Sequence, residues 1–225
     1  MKTAVAAVFL FATSGLCAEL PKPAFRTSPV LFASPVAAEQ RSEAQKAHNE
    51  ALKLLAAGDV QGSRTAFQKV LNLSPNNPAA LINLGIVEQR LNNFTEAERV
   101  LRRAVQASPT SGAGWLLLGI VSLEQGKLDA AFAHFAEAAY LDPKNTQTHV
   151  YLAVTLARKG WNSAAEDEFR RALELDGRLA DAHYNLAVLY LQRTPPAVEL
   201  ARRHYQRALD LGATPDPTIA AKFEE

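Results

Sequence analysis

One interval dominates this chain. Pro75, Pro109 and Pro143 follow one another at 34 residues, with Gly177 at the next step. Phe67, Leu101, Phe135 and Phe169 keep the same spacing, Gly85 and Gly119 share a register with Ala153, and Gly58, Gly126 and Gly160 form a further column. A period of this size marks an array of small supersecondary units, none of which buries its apolar face alone. Within each period the apolar residues, such as Leu81, Leu84 and Ile86, then Ala97, Leu101 and Ala104, fall at helical spacing. Gly119 lies inside one such helix, where glycine costs roughly 1 kcal/mol against alanine, so a neighbouring element is expected to pack closely on it.

The columns carry a family pattern. Trp115, Leu118, Gly119, Ala131, Phe135, Ala138 and Pro143 follow the order Trp-x2-Leu-Gly, Ala-x3-Phe, Ala, Pro, departing only at Ser122 where tyrosine is usual. The second copy has Leu81, Leu84, Gly85, Ala97, Leu101, Ala104 and Pro109; the fourth has His149, Leu152, Ala153, Ala165, Phe169 and Ala172; the fifth has His183, Leu186, Ala187, Tyr190, Ala201, Tyr205 and Ala208. The sequence thus resembles the tetratricopeptide repeat family. That resemblance implies an all-α fold, a right-handed superhelical solenoid of paired antiparallel helices, with five units at about residues 44–77, 78–111, 112–145, 146–179 and 180–215. Two departures stand out. The first copy has Ala47, Glu50 and Ala51 where larger residues and glycine are expected, as a solvent-exposed terminal unit would, and the fifth carries two extra residues around Thr194-Pro195-Pro196 that lengthen its turn. Asp216 and Pro217 open a short capping helix over 216–225, with Ile219 and Phe223 on one face.

The N-terminus reads differently. Lys2, the apolar run Ala4 to Ala12 and a small-residue end at Ala18 predict a secretory signal over 1–18, too short to span a bilayer. No later segment is long and uncharged enough to cross one, so the exported product is expected to be soluble, periplasmic or secreted. Cleavage after Ala18 removes the only cysteine, Cys17. The alternative is lipidation of Cys17, although Leu16 and Ser14 reverse the usual order before a lipidated cysteine. Residues 19–40, broken by Pro21, Pro23, Pro29 and Pro35, read as an extended linker before a solenoid over 41–215.

Composition excludes some partners. With 24 basic and 23 acidic residues the charge is balanced. Arg102-Arg103 and Arg170-Arg171 have Glu98, Glu166 and Asp167 at four residues before them, so they read as a solvated mixed-charge face and not as a nucleic-acid stripe. His149 and His183 sit one period apart, but they share the column of Leu81 and Trp115 and have no cysteine or carboxylate cluster to complete a metal site. No nucleophile with its base is visible, and nothing calls for a cofactor. The chain is expected not to be an enzyme.

What remains is the concave face, which the resemblance assigns to the first helix of each unit. By that assignment Ile82, Ile86, Leu116, Ile120, Val150, Val154, Tyr184 and Val188 project into a groove, with Asn83, Tyr151 and Asn185 in the neighbouring column. Some of these side chains are alternatively packed against the adjacent helix, since groove and core columns are neighbours. The family's carboxylate clamp is missing, because its positions hold His48, Leu52, Asn83, Ala113 and Leu117. Its asparagine ladder is interrupted: Asn49, Asn83 and Asn185 are separated by Leu117 and Tyr151. The expected function is therefore a scaffold or adaptor of the cell envelope, or a secreted one, that binds a peptide or helical segment in an apolar groove. The groove's occupant is either another protein or the chain's own residues 19–40, which at about 3.3 Å each reach about 70 Å when extended. A membrane-anchored assembly factor or an accessory subunit of an envelope enzyme complex is the alternative.

Overall fold

The computed structural model describes residues 38–224; the expected signal over 1–18, Cys17 and the proline-rich stretch up to residue 37 lie outside them. Every regular element among the described residues is a helix. These form two compact units, 38–141 and 142–224. The first contains α1 (Ala38–Ala56), α2 (Val60–Leu73), α3 (Pro78–Arg90), α4 (Phe94–Ala107), α5 (Gly112–Glu124) and α6 (Leu128–Leu141). The second contains α7 (Thr146–Arg158), α8 (Asn162–Leu175), α9 (Ala180–Leu191), α10 (Val198–Asp210) and the five-residue α11 (Pro217–Ala221). Helix α1 begins inside the stretch expected as linker.

Helices pair as α1/α2, α3/α4 and α5/α6 in the first unit, and α7/α8 and α9/α10 in the second. Each pair is a helical hairpin, and in the first four the same turn makes it. A residue with positive φ stands just past the first helix: Gly58 at 83°, Asn92 at 59°, Gly126 at 74° and Gly160 at 77°. Its N–H bonds back three residues and the next N–H bonds back five, as in Gly126 to Leu123 O (3.0 Å) and Lys127 to Ser122 O (2.9 Å). This is the Schellman arrangement, which satisfies the last carbonyls of the helix. The second hairpin uses Asn92 where the other three use glycine; asparagine is the side chain that best tolerates this conformation.

Starts are specified as locally as stops. Asp59, Asn77, Ser111 and Asn145 each precede a helix and accept a hydrogen bond from an N–H three residues on, at 2.8, 3.0, 3.4 and 3.1 Å. Asp216 does the same for α11, accepting from Thr218 N at 2.8 Å and Ile219 N at 3.4 Å.

Close approach explains the helical glycines. A Cβ on Gly85 would lie 2.5 Å from Leu101, and one on Gly119 would lie 2.4 Å from the ring of Phe135. Both partners come from the second helix of the same pair and are fully buried. In α1 the same task falls to alanine: Ala44, Ala47 and Ala51 are buried, and Ser63 Oγ donates to Ala51 O at 2.9 Å. One face of the opening helix is therefore built for tight contact with α2, while Lys46, Asn49, Glu50 and Lys53 on the remainder are exposed, in keeping with the expectation drawn from its sequence.

Two buried carboxylates clasp successive elements. Glu88 of α3, fully buried, accepts from Arg64 Nε of α2 at 2.7 Å and from Asn93 Nδ2 ahead of α4 at 2.9 Å. Glu166 of α8 accepts from Tyr190 Oη of α9 at 3.0 Å and pairs with Arg170 at 2.5 Å and with Arg193. Buried charge is tolerated only when it is paired and hydrogen-bonded in this way.

Candidate functional site

The first helices carry the residues expected to meet a partner. In the first unit α3 touches α5 directly. Ile82 and Ile86 on α3, and Leu116 and Ile120 on α5, are each spaced by four residues and so share one face of their helix. Ile86, Leu116 and Ile120 are buried, while Ile82 and Asn83 are half-buried. This aliphatic strip ends on polar groups: Gln89, three residues beyond Ile86, donates from Nε2 to Glu124 Oε1 at 2.8 Å, four residues beyond Ile120. Burial pushes the Glu124 carboxyl above the usual carboxylate range, opposed by the weaker pull of the Gln89 hydrogen bond. Glu124 Oε2 and the side-chain oxygen of Gln125 are buried without a hydrogen-bond partner among the described residues. Neither residue stands out from sequence spacing, because a lone Glu-Gln at a helix end is ordinary there.

In the second unit Val150, Tyr151 and Val154 lie on α7 and are buried. Tyr184 and Val188 of α9 have another role than the one expected. They belong to the cluster of Ala187, Tyr205, Ala208 and Ile219, against which Phe223 packs. Tyr184 Oη also donates to Asp216 Oδ2 at 2.7 Å. Helix α11 lies over the apolar end of this pair, and these two side chains hold that cover. Asn185 turns its amide N–H to Asp181 O of its own helix at 2.7 Å, and its Oδ1 is buried without a partner. Asn49 accepts from Gln45 Nε2 at 3.0 Å. The interrupted asparagine column therefore spends two members on local contacts.

The histidines are structural. His149 places Nδ1 2.6 Å from Glu168 Oε2 and Nε2 3.0 Å from Pro143 O, and the carboxylate raises its pKa. His134 faces Ser122 Oγ through Nδ1 at 3.2 Å, in the place where the family pattern has tyrosine. His48 packs edge-on against Phe67 with ring centroids 5.5 Å apart. Arg102 pairs with Glu98 at 2.8 Å, as its spacing predicts, and Lys127 adds a second bond at 2.8 Å that holds the Glu98 carboxyl down to about 2. Among the described residues no group of three metal-ligating side chains occurs, and no helix is long and apolar enough to cross a membrane.

Comparison with known proteins agrees with this architecture. A solved structure of PilF from Pseudomonas aeruginosa superposes with a TM-score of 0.73 at 19% identity, covering 83% of this chain and 86% of that one. YrrB, described as a TPR protein with an unusual peptide-binding site, gives 0.66 at 24% identity over 83% of this chain and 94% of its own. MamA from Desulfovibrio magneticus gives 0.68 at 16% identity over 75% and 94%. A comparison with curated proteins returned no match. The tetratricopeptide repeat profile matches residues 48–112, 83–146 and 152–216, so that it covers most of the helical array. With the 34-residue columns, the repeated hairpin turn and the glycine contacts all in register, the chain belongs to the tetratricopeptide repeat family.

Proposed function

We propose that this chain is an exported, non-enzymatic scaffold that holds a peptide or helical segment of a partner protein against the inner faces of its first helices. The observation that carries the reading is the strip of Ile82 and Ile86 on α3 beside Leu116 and Ile120 on α5. Ile86, Leu116 and Ile120 are already buried within the chain, so Ile82 is the member of the strip with surface left for a partner, and an amphipathic segment supplies a matching face. Val150, Tyr151 and Val154 on α7 offer a second strip in the other unit. The unusual peptide-binding site of YrrB is a precedent on the same fold. Export rests on Lys2, the apolar run Ala4 to Ala12 and the small residue Ala18, with acylation at Cys17 as the alternative form of the same product.

The test is photocrosslinking in cells with a probe amino acid at Ile82, the half-buried member of the strip. The reading expects capture of a foreign protein that disappears when Asn83 beside it, also half-buried, is changed to arginine. Capture of only the chain's own residues 19–40 would place the partner-binding surface elsewhere. The intact mass of the exported protein decides its anchoring, since a chain beginning at Glu19 and one beginning at an acylated Cys17 differ grossly.

A further inference from the structure

We infer that the last hairpin carries an acid-sensitive joint: protonation of the facing imidazoles of His183 and His204 releases α10, together with α11, from α9 while the preceding hairpins stay folded. Helix α9 is held differently on its two sides. Toward α8, Tyr190 Oη donates to Glu166 Oε1 at 3.0 Å and Arg193, just past the helix, pairs with the same carboxylate, so α9 is fastened back to the preceding hairpin. Toward α10, His183 Nδ1 meets His204 Nδ1 at 2.9 Å, with both rings half-buried and their centroids 5.1 Å apart. A neutral pair makes this contact because one N–H donates to the other's lone pair; an imidazolium has donors alone, so two of them cannot. The surroundings do not absorb the added charge. Arg207 on α10 acts on His183, and Arg170 on α8 acts on His204. Glu166, the carboxylate that acts on His204, is already bonded to Arg170, Tyr190 and Arg193. On their other sides His183 Nε2 faces Gly177 O at 3.4 Å, and the Tyr190 ring lies 5.5 Å from that of His204. The connection has slack for release: residues 192–196 are exposed, and Ala197 ahead of α10 makes no side-chain cap bond. Tyr184 and Val188 of α9 share one cluster with Tyr205 and Ala208 of α10 and Ile219 of α11, so the opening uncovers these side chains. Both rings bind protons at lower pH when closed than the roughly 6.5 of a free imidazole, so acid favours the open form by up to about tenfold per pH unit for each ring.

Hydrogen exchange of the full chain, followed by mass spectrometry and corrected for the intrinsic pH dependence of exchange, reads the opening helix by helix. Between pH 7.5 and 5.5 the protection of α10 is expected to fall by about tenfold or more, while α3 and α4, which contain no histidine, hold theirs within about twofold. His183→Phe and His204→Phe each remove one titrating ring, and either should flatten the α10 response. The slope with pH is the reading, so a variant of lower overall stability still decides the matter. His204→Lys should bring fast α10 exchange at pH 7.5, and circular dichroism verifies that all three variants are helical there. A fall in α3 and α4 in step with α10 is global unfolding and overturns the inference. Unchanged α10 protection at pH 5.5 overturns it too, whether the rings stay neutral or turn their charge into water. So does an acid response that survives both phenylalanine variants.

Discussion

The Nδ1 atoms of His183 on α9 and His204 on α10 lie 2.9 Å apart, so one imidazole donates to the other and the pair holds a single proton between them. Burial lowers both pKa values, more than the nearby charges do. Arg207 adds to this at His183, and at His204 the partner imidazole and Arg170 add to it while Glu166 opposes. Both histidines thus take up protons at lower pH in the fold than in the unfolded chain, which binds them from about pH 6.5 downward. The contribution of the pair to stability is complete above that pH and falls as pH drops below it. Thermal melts at pH 5 and pH 7.5 should show a fall on acidification that shrinks in His204→Phe, a variant that keeps the ring contact with Tyr190, whose centroid is 5.5 Å away.

His149 should behave in the opposite sense. Its imidazolium donates to Glu168 and to Pro143 O, and the Glu168 hydrogen bond raises its pKa above that of the unfolded chain. The stabilisation is fully present below about pH 6.5 and is lost as pH rises through the raised value. Glu168→Gln should remove this alkaline loss, which proton NMR titration of the His149 ring measures directly as a lower midpoint.

Gly119 sets a packing limit. Alanine there gains roughly 1 kcal/mol in helix propensity, but its Cβ would stand 2.4 Å from Phe135, a side chain with no exposed surface on which to retreat. The overlap should win, with Gly119→Ala destabilising by about 1–2 kcal/mol in urea unfolding. Adding Phe135→Leu should recover part of the loss, and a double-mutant cycle will show the two sites coupled.

Asn92 is the fourth member of the left-handed column. Asn92→Gly should stabilise by a few tenths of a kcal/mol, and Asn92→Ala should destabilise by about 1 kcal/mol, since alanine has no local hydrogen bond to offset φ 59°. Denaturant midpoints of the two variants test the order.

How far these features were legible differs by kind. The hairpins, their capping residues and the close contacts at Gly85 and Gly119 all follow from residues that repeat at 34, because each unit solves the same local problem with the same side chains. Asn92 escaped because its column reads as glycine, although its tolerance of positive φ was a usable signal. Glu88, and the Arg193 half of the Glu166 clasp, escaped for a different reason: the partners Arg64 and Arg193 come from neighbouring hairpins, and pairing across hairpins has no fixed sequence offset, whereas the Glu166–Arg170 pair follows from its spacing of four. At the candidate site, the column assignment could not tell that Tyr184 and Val188 face α11, since a groove position on an inner unit becomes a contact for the terminal cover. Gln89 and Glu124, 35 residues apart, fell outside the pattern altogether.

The hairpin turn bears on how such a chain tolerates change. In four pairs the N–H two residues past the first helix's cap reaches back five residues, from Asp59 to Leu54, Asn93 to Glu88, Lys127 to Ser122 and Trp161 to Leu156. In the fifth, Ala197 reaches Tyr190 at 3.0 Å, seven residues back, and the two extra residues around Thr194-Pro195-Pro196 simply bulge outward. Register downstream is untouched, and Ala201, Tyr205 and Ala208 still meet α9 as their counterparts do elsewhere. The bulge is a natural insertion already accommodated by the scaffold, and so the place where an epitope or a fluorophore can be grafted while every helix stays in step.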